Sequence, residues 1–265
     1  MSNRQNLTIR HLAAMKSRGE KIAMLTCYDA GFARAMDQAG VDIVLVGDSL
    51  GMVVQGRDTT IGVGMDDMVY HTGCVARGAG RSFLLADMPF GAYHDEVTAM
   101  ANAVRLLAAG GAMVKLEGGG AMIQVVSYLT GRSVPVCGHI GLTPQSVHQL
   151  GGFPVQAREE TAAARLLEDA EALQQAGAQL LVVECVPAAL GAELAGRLAI
   201  PVIGIGAGAG CDGQVLVMHD MLGLGERVPK FVANFMAGRD SIQQAFEAYV
   251  SDVRTGRFPA AKHEY

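Results

Sequence analysis

The chain contains no tryptophan, and its aromatic residues amount to only 5% of 265. Lysine and arginine number 21 against 26 acids, for a net charge of −5, and they form no basic block. A nucleic-acid partner is therefore not expected, because it would need cationic patches and stacking platforms. No apolar run reaches the roughly 18 residues that span a bilayer. The opening segment MSNRQNLTIRHL also lacks the apolar stretch of a secretory leader, so no membrane partner is expected. The cysteines (Cys27, Cys74, Cys137, Cys185 and Cys211) are odd in number and include no CxxC pair. They read as reduced core thiols of a cytosolic protein. Charged residues are scarce, at 18%, while half the chain is hydrophobic. Such a balance implies a large interior, or apolar surface covered by self-association.

What the chain does have is a repeated construction. In Val41–Met52 (VDIVLVGDSLGM) a β-branched apolar run stops at Gly47 and is followed by Asp48 and Ser49. That is the pattern of a buried parallel strand delivering a charged side chain to the rim of a sheet or barrel. SFLLADMP ends on Asp87, AMVKLEGG on Glu117, and QLLVVECVP carries Glu184. The stretches DQAGVDIVLVGD, LAAGGAMVKLEG and LQQAGAQLLVVEC share one order: helix, glycine, apolar strand, acid. Strands are expected near 21–29, 41–47, 82–89, 112–119, 134–142, 179–187, 200–208 and, more weakly, Val215–His219. Helices are expected between them, with a last one at Ser241–Arg254. Ser49–Met65, with four glycines, is long enough to be a lid. Roughly eight βα units in about 250 residues predict a (β/α)8 TIM barrel. It would form a single domain over 1–265, with a short N-terminal extension and a C-terminal helix. A doubly wound open sheet is the other architecture that parallel strands allow. Both bind ligands at the carboxyl ends of the strands.

Asp48, Asp87, Glu117 and Glu184 would all meet at that end. Gathered carboxylates repel unless a cation neutralises them or their pKa values rise. Asp48, Asp87 and Glu117 are all-oxygen ligands suited to Mg²⁺ or Mn²⁺ rather than Zn²⁺. Taken singly, an acid after a strand is more often a helix cap or a salt-bridge partner than a ligand; four on strands of the same polarity shift the balance towards a site. Lys115 lies two residues before Glu117, so the strand period places both on one face, where an unpaired lysine would be costly. It is expected to pair with the acids or with an anionic substrate; a lysine reaching an exposed edge is the alternative. Glu184, from the far half of the barrel, is left free to act as a base, or else caps the next helix. Ser49 either contacts an anion or caps the next turn. His139 is readable as a core histidine or as a donor to a substrate oxygen. The glycines of 204–210 match neither G-x-G-x-x-G nor a P-loop.

Blocks covering most of the chain from Ala23 to Phe235 resemble the ketopantoate hydroxymethyltransferase family. They are VGDSLGM, QGRDTT, LLADMPF, MVKLEGG, PVCGHIGLTPQSV, LLVVECVP, PVIGIGAG and DGQVLVMHD. The resemblance implies a cytosolic homo-oligomeric barrel, decameric in the family. The implied reaction uses 5,10-methylenetetrahydrofolate to hydroxymethylate 3-methyl-2-oxobutanoate, giving 2-dehydropantoate for pantothenate and coenzyme A synthesis. Position by position, Asp48, Asp87 and Glu117 match the acids holding one Mg²⁺ per subunit. Asp48, Ser49, Asp87 and Lys115 match the contacts to the 2-oxo acid, and Glu184 matches the proton acceptor. Gly62, Gly64 and Ala157 depart from the usual pattern. Gly62 and Gly64 replace a Pro-Val-Thr type of sequence and put the stiffness of the lid in doubt, while Ala157 replaces a glycine. Two other functions remain open: a Mg²⁺-dependent C–C lyase of the phosphoenolpyruvate mutase and isocitrate lyase type, and a non-catalytic metabolite-binding barrel.

Overall fold

Eight short parallel strands close on themselves in chain order, in a computed structural model that describes residues 6–225 and 228–265. They are β1 (Ile22–Thr26), β2 (Ile43–Val46), β3 (Phe83–Asp87), β4 (Met113–Glu117), β5 (Val136–Gly141), β6 (Leu180–Glu184), β7 (Val202–Ile205) and β8 (Gly213–Leu216). Pairing of β1 with β8, Met24 opposite Val215, completes the barrel and decides against an open sheet. Nearly every strand residue is buried, as expected of strands packed inside against one another and outside against helices.

The intervening helices start and stop where the local chemistry dictates. Asp29 accepts hydrogen bonds from Gly31 N and Phe32 N, at 2.7 and 2.9 Å, to open the helix Ala30–Ala39. Gly40 then ends it in the left-handed region with φ 84°. The C-terminal helix Ile242–Arg254 packs on the outside of the barrel. Its Tyr249 hydroxyl lies 2.9 Å from both Met24 O and Gln214 O, one on β1 and the other on β8.

Three features differ from the sequence expectation. β8 begins earlier than expected and ends at Leu216. A Cβ at Gly213 would stand 2.4 Å from Ile22 O, so only glycine lets the strand enter between its neighbours. Met218–Met221 is instead a helical turn, its Met218 N bonded to Thr26 Oγ1 at 2.9 Å. Second, the N-terminal segment forms a helix, Ile9–Ser17, that buries Leu12 and Met15. Its Lys16 bonds Asp212 at 2.6 Å, just before β8, which places it at the amino ends of the strands, away from the acids. Third, the glycine-containing segment after Ser49 starts with a helical turn, Leu50–Val53, and folds back to bury Thr60 and Val63. No helix among the described residues is long and apolar enough to cross a membrane. All five cysteines are free.

Candidate active site

Five consecutive strands, β2 to β6, carry the charged residues to one end of the barrel. The register steps around the ring: Asp87 pairs with Lys115, Glu117 with His139, and Gly141 with Glu184. Together with Asp48 and Ser49 at the end of β2, these side chains line one cavity of about 390 Å³. All of the site residues expected from the sequence are therefore brought together there.

Lys115 is the hub. Its Nζ lies 2.8 Å from Asp87 Oδ1, 3.2 Å from His139 Nδ1 and 3.9 Å from Glu117 Oε1. It is almost completely buried, so it is not a strand lysine reaching an exposed edge. Burial opposes its charge, but Asp87, Glu117 and Asp48 outweigh that and push its pKa above the ordinary lysine value. Asp48 is pushed well up, first by burial and then by the charges of Asp87 and Glu117. Burial also raises Asp87 against the pull of Lys115. Burial would raise Glu117 too, yet His139 and Lys115 hold it below the usual carboxylate range.

His139 is more than a satisfied core histidine. Its Nδ1 stands 3.2 Å from Glu117 Oε1 and its Nε2 3.2 Å from Glu184 Oε2, so it lies between the two glutamates, although Nε2 makes no aligned hydrogen bond. Burial and Lys115 disfavour its protonation, but the glutamates prevail and lift its pKa to about 9. Glu184 does not cap the helix Ala188–Arg197, which begins after Pro187. Ser49 makes no side-chain cap either; its Oγ sits 2.8 Å from the Tyr28 hydroxyl.

Two residues of this centre were not singled out in the sequence. Gln145, in the turn Pro144–Ser146, donates its backbone N–H to Glu117 Oε2 at 3.0 Å and its Nε2 to Asp48 Oδ2 at 2.8 Å. The Tyr93 hydroxyl donates to Gln145 Oε1 and accepts from Glu117 N at 3.2 Å. The only available signal was Gln145 standing in the block PVCGHIGLTPQSV, where nothing marked it above its neighbours.

The backbone is strained where the segment between β5 and the helix Glu160–Gln175 meets the end of β6. Cys185, immediately after Glu184, has φ 47°, and Ala157 has φ 54°, both in the left-handed region that favours glycine. The two positions adjoin, since Gln156 N donates to Cys185 O at 2.8 Å. The glycines of 204–210 serve packing. A Cβ on Gly206 would lie 2.9 Å from Phe231 and 3.1 Å from Tyr265, both of which wall the cavity.

The donor chemistry suits a hard divalent cation. Asp48, Asp87 and Glu117 offer only oxygen, and Asp87 Oδ1, though close to Lys115 Nζ, receives no aligned hydrogen bond. Among the described residues, no three acid, histidine or cysteine side chains converge as a finished metal cage. Mg²⁺ seldom requires one, because it keeps water and takes substrate oxygens beside one or two carboxylates.

Comparison with known proteins agrees along the whole chain. The family model described as ketopantoate hydroxymethyltransferase matches residues 6–261. A 3-methyl-2-oxobutanoate hydroxymethyltransferase of Burkholderia cenocepacia is 55% identical, covering 100% of this chain and 98% of the relative. One from Thiobacillus denitrificans is 55% identical over 98% of this chain and 99% of its own length. Among solved structures, a phosphonopyruvate hydrolase in complex with oxalate and Mg²⁺ superposes with TM-score 0.62 at 11% identity, covering 79% of this chain and 80% of that one. A phosphoenolpyruvate phosphomutase from Streptomyces platensis gives TM-score 0.60 at 17% identity, covering 80% and 82%. These distant structures share the barrel, whereas the curated relatives match over nearly the whole of both chains. The chain belongs to the ketopantoate hydroxymethyltransferase family of enzymes.

Proposed function

We propose that this enzyme transfers a one-carbon unit from 5,10-methylenetetrahydrofolate to 3-methyl-2-oxobutanoate, forming 2-dehydropantoate on the route to pantothenate. The observation that carries this reading is a buried cation, Lys115, set among three carboxylates, with a fourth, Glu184, standing apart on the far side of His139. A Mg²⁺ ion held by Asp48, Asp87 and Glu117, one per subunit, would polarise the ketone and carboxylate oxygens of a 2-oxo acid.

Lys115 offsets the negative charge of that substrate, and Ser49 beside Asp48 offers it a hydroxyl. Glu184 takes the proton from C3, the carbon next to the ketone. Water releases the one-carbon unit at the formaldehyde level, breaking its two C–N bonds and leaving tetrahydrofolate; the electron pair left at C3 forms the new C–C bond to that carbon, and the proton held by Glu184 completes the hydroxyl. His139, 3.2 Å from the Glu184 carboxylate, stands beside that base. The cavity lies at the carboxyl ends of the strands, where barrel enzymes place their chemistry. Exposed Tyr70, Phe90, Val97 and Val104 support a self-associated state, read here as the family's decameric homo-oligomer in the cytosol.

Deuterium exchange at C3 of 3-methyl-2-oxobutanoate, followed by proton NMR, tests the base without involving the folate. Glu184→Gln should lose exchange while still binding the 2-oxo acid. Unchanged exchange would overturn the assignment. C–C cleavage of larger oxo acids in the absence of folate would instead favour a lyase.

A further inference from the structure

The charged residues of the cavity come from β2 to β6, whereas β7, β8 and β1 present Ile205, Val215, Val217 and Thr26. Among the described residues, one charged side chain lines that second arc: Asp220. It belongs to the block DGQVLVMHD, and none of the chemistry above employs it.

Asp220 sits in the helical turn Met218–Met221, and this turn is held in place. Met218 N donates to Thr26 Oγ1 at 2.9 Å, and the His219 ring packs against Tyr28 with centroids 5.6 Å apart. No hydrogen bond or ion pair to the Asp220 carboxylate occurs among the described residues, and burial raises its pKa to about 6. Asp220 is half-buried on the cavity wall, so its carboxylate faces the space in which a ligand would lie and can take that ligand's donors in place of water. Its surroundings on the same wall, Val217, Pro229 and Phe231, are apolar and include a flat ring. An acceptor of two hydrogen bonds beside an aromatic surface matches a planar heterocycle that carries a ring N–H next to an amino group. The 2-oxo acid has no N–H to offer. The one-carbon donor, on the folate reading, carries that pair of donors on its pterin edge.

We propose, resting on the folate-dependent transfer above, that Asp220 is the specificity-determining acceptor for the second substrate. It receives the paired N–H donors of the pterin ring, which lies on the apolar arc opposite the charged centre. The two arcs thus divide the two substrates between them. The acids, Lys115 and Glu184 handle the oxo acid, while Asp220 orients the donor.

Asp220→Asn separates the possibilities, because the amide keeps the shape but can accept only one of the two hydrogen bonds. Three readouts are compared with wild type: C3 deuterium exchange without folate, KM for 5,10-methylenetetrahydrofolate, and calorimetric Kd for tetrahydrofolate. The expected result is retained exchange with KM and Kd both raised roughly 10- to 100-fold, the range for losing a hydrogen bond to a charged group. Asp220→Glu, which keeps the charge, should recover part of the affinity. Unchanged KM and Kd in Asp220→Asn would overturn the proposal. So would loss of exchange in step with transfer in both variants, which would place Asp220 in the oxo-acid half or in the support of the fold. If wild type itself showed neither exchange nor folate-dependent transfer, the proposed function would fall instead.

Discussion

The two arcs of the barrel mouth are built from the same backbone and differ in what they ask of it. From β2 to β6, five neighbouring strands each bring at least one ionisable group into a space almost closed to water. From β7 through β8 to β1, the strands bring apolar side chains, a threonine and, past β8, one aspartate. The apolar arc stabilises the fold by burial alone. The charged arc holds only because each ion has partners within about 4 Å, with Lys115 shared between Asp87 and Glu117. Binding chemistry is concentrated where the fold has least stability to spare.

The sharpest contrast between the arcs is catalytic. Glu184→Gln should lower C3 exchange by about 10²- to 10⁴-fold, the usual share of a general base. No truncation on the apolar arc should touch exchange to that degree, and one that did would break the division. In stability the contrast is between Lys115→Ala and Val215→Ala. Removing the lysine strands three buried carboxylates and should cost about 3–5 kcal/mol in urea unfolding. Losing the valine should cost no more than about 2 kcal/mol, the value of a few buried methyl groups. Equal midpoints would mean that the charges are not mutually compensated.

Mg²⁺ should raise the unfolding midpoint of wild type, by about 2.7 kcal/mol at a hundred times its Kd. Asp48→Asn should abolish that rise, whereas Asp220→Asn should leave it intact. Asp220 also gives a pH test with a definite sign. Its folded pKa of about 6 lies above the ordinary 3.8. The acid therefore contributes stability that is fully present below pH 3.8 and lost as pH rises through 6. Asp220→Asn should match or trail wild type below pH 4 and gain on it up to about pH 6, after which the gap stays level. The smallest expected effect is on the loop that follows β5. Ala157→Gly should gain about 1 kcal/mol by relieving a left-handed alanine.

Much of the charged arc was legible in the sequence because its physics is local. An apolar run that ends on an acid announces a buried strand and its rim residue within eight positions, as in SFLLADMP. The two-residue spacing of Lys115 and Glu117 was enough to put them on one face. What stayed hidden depends on contacts between distant segments. His139 looked like an ordinary strand histidine because both its partners, Glu117 and Glu184, arrive from neighbouring strands. Gln145 and Tyr93 lie in loops, where no periodicity singles out a side chain. The early start of β8 rests on one glycine squeezed against Ile22, a close approach that no propensity records. The departure at Ala157 was visible, but its left-handed backbone could be read only from the fold.

The register of β3 to β6 has a consequence for how such a barrel tolerates change. Asp87, Lys115, Glu117, His139 and Glu184 are spaced by pairing across the ring. A one-residue deletion in β4 ahead of Lys115 would turn both Lys115 and Glu117 outward at a stroke, because strand side chains alternate. Extra residues in the helix–strand connections at the opposite end would leave every rung in place. Heritable variation in length should therefore accumulate at the closed floor of the barrel, while its staves keep their residue count.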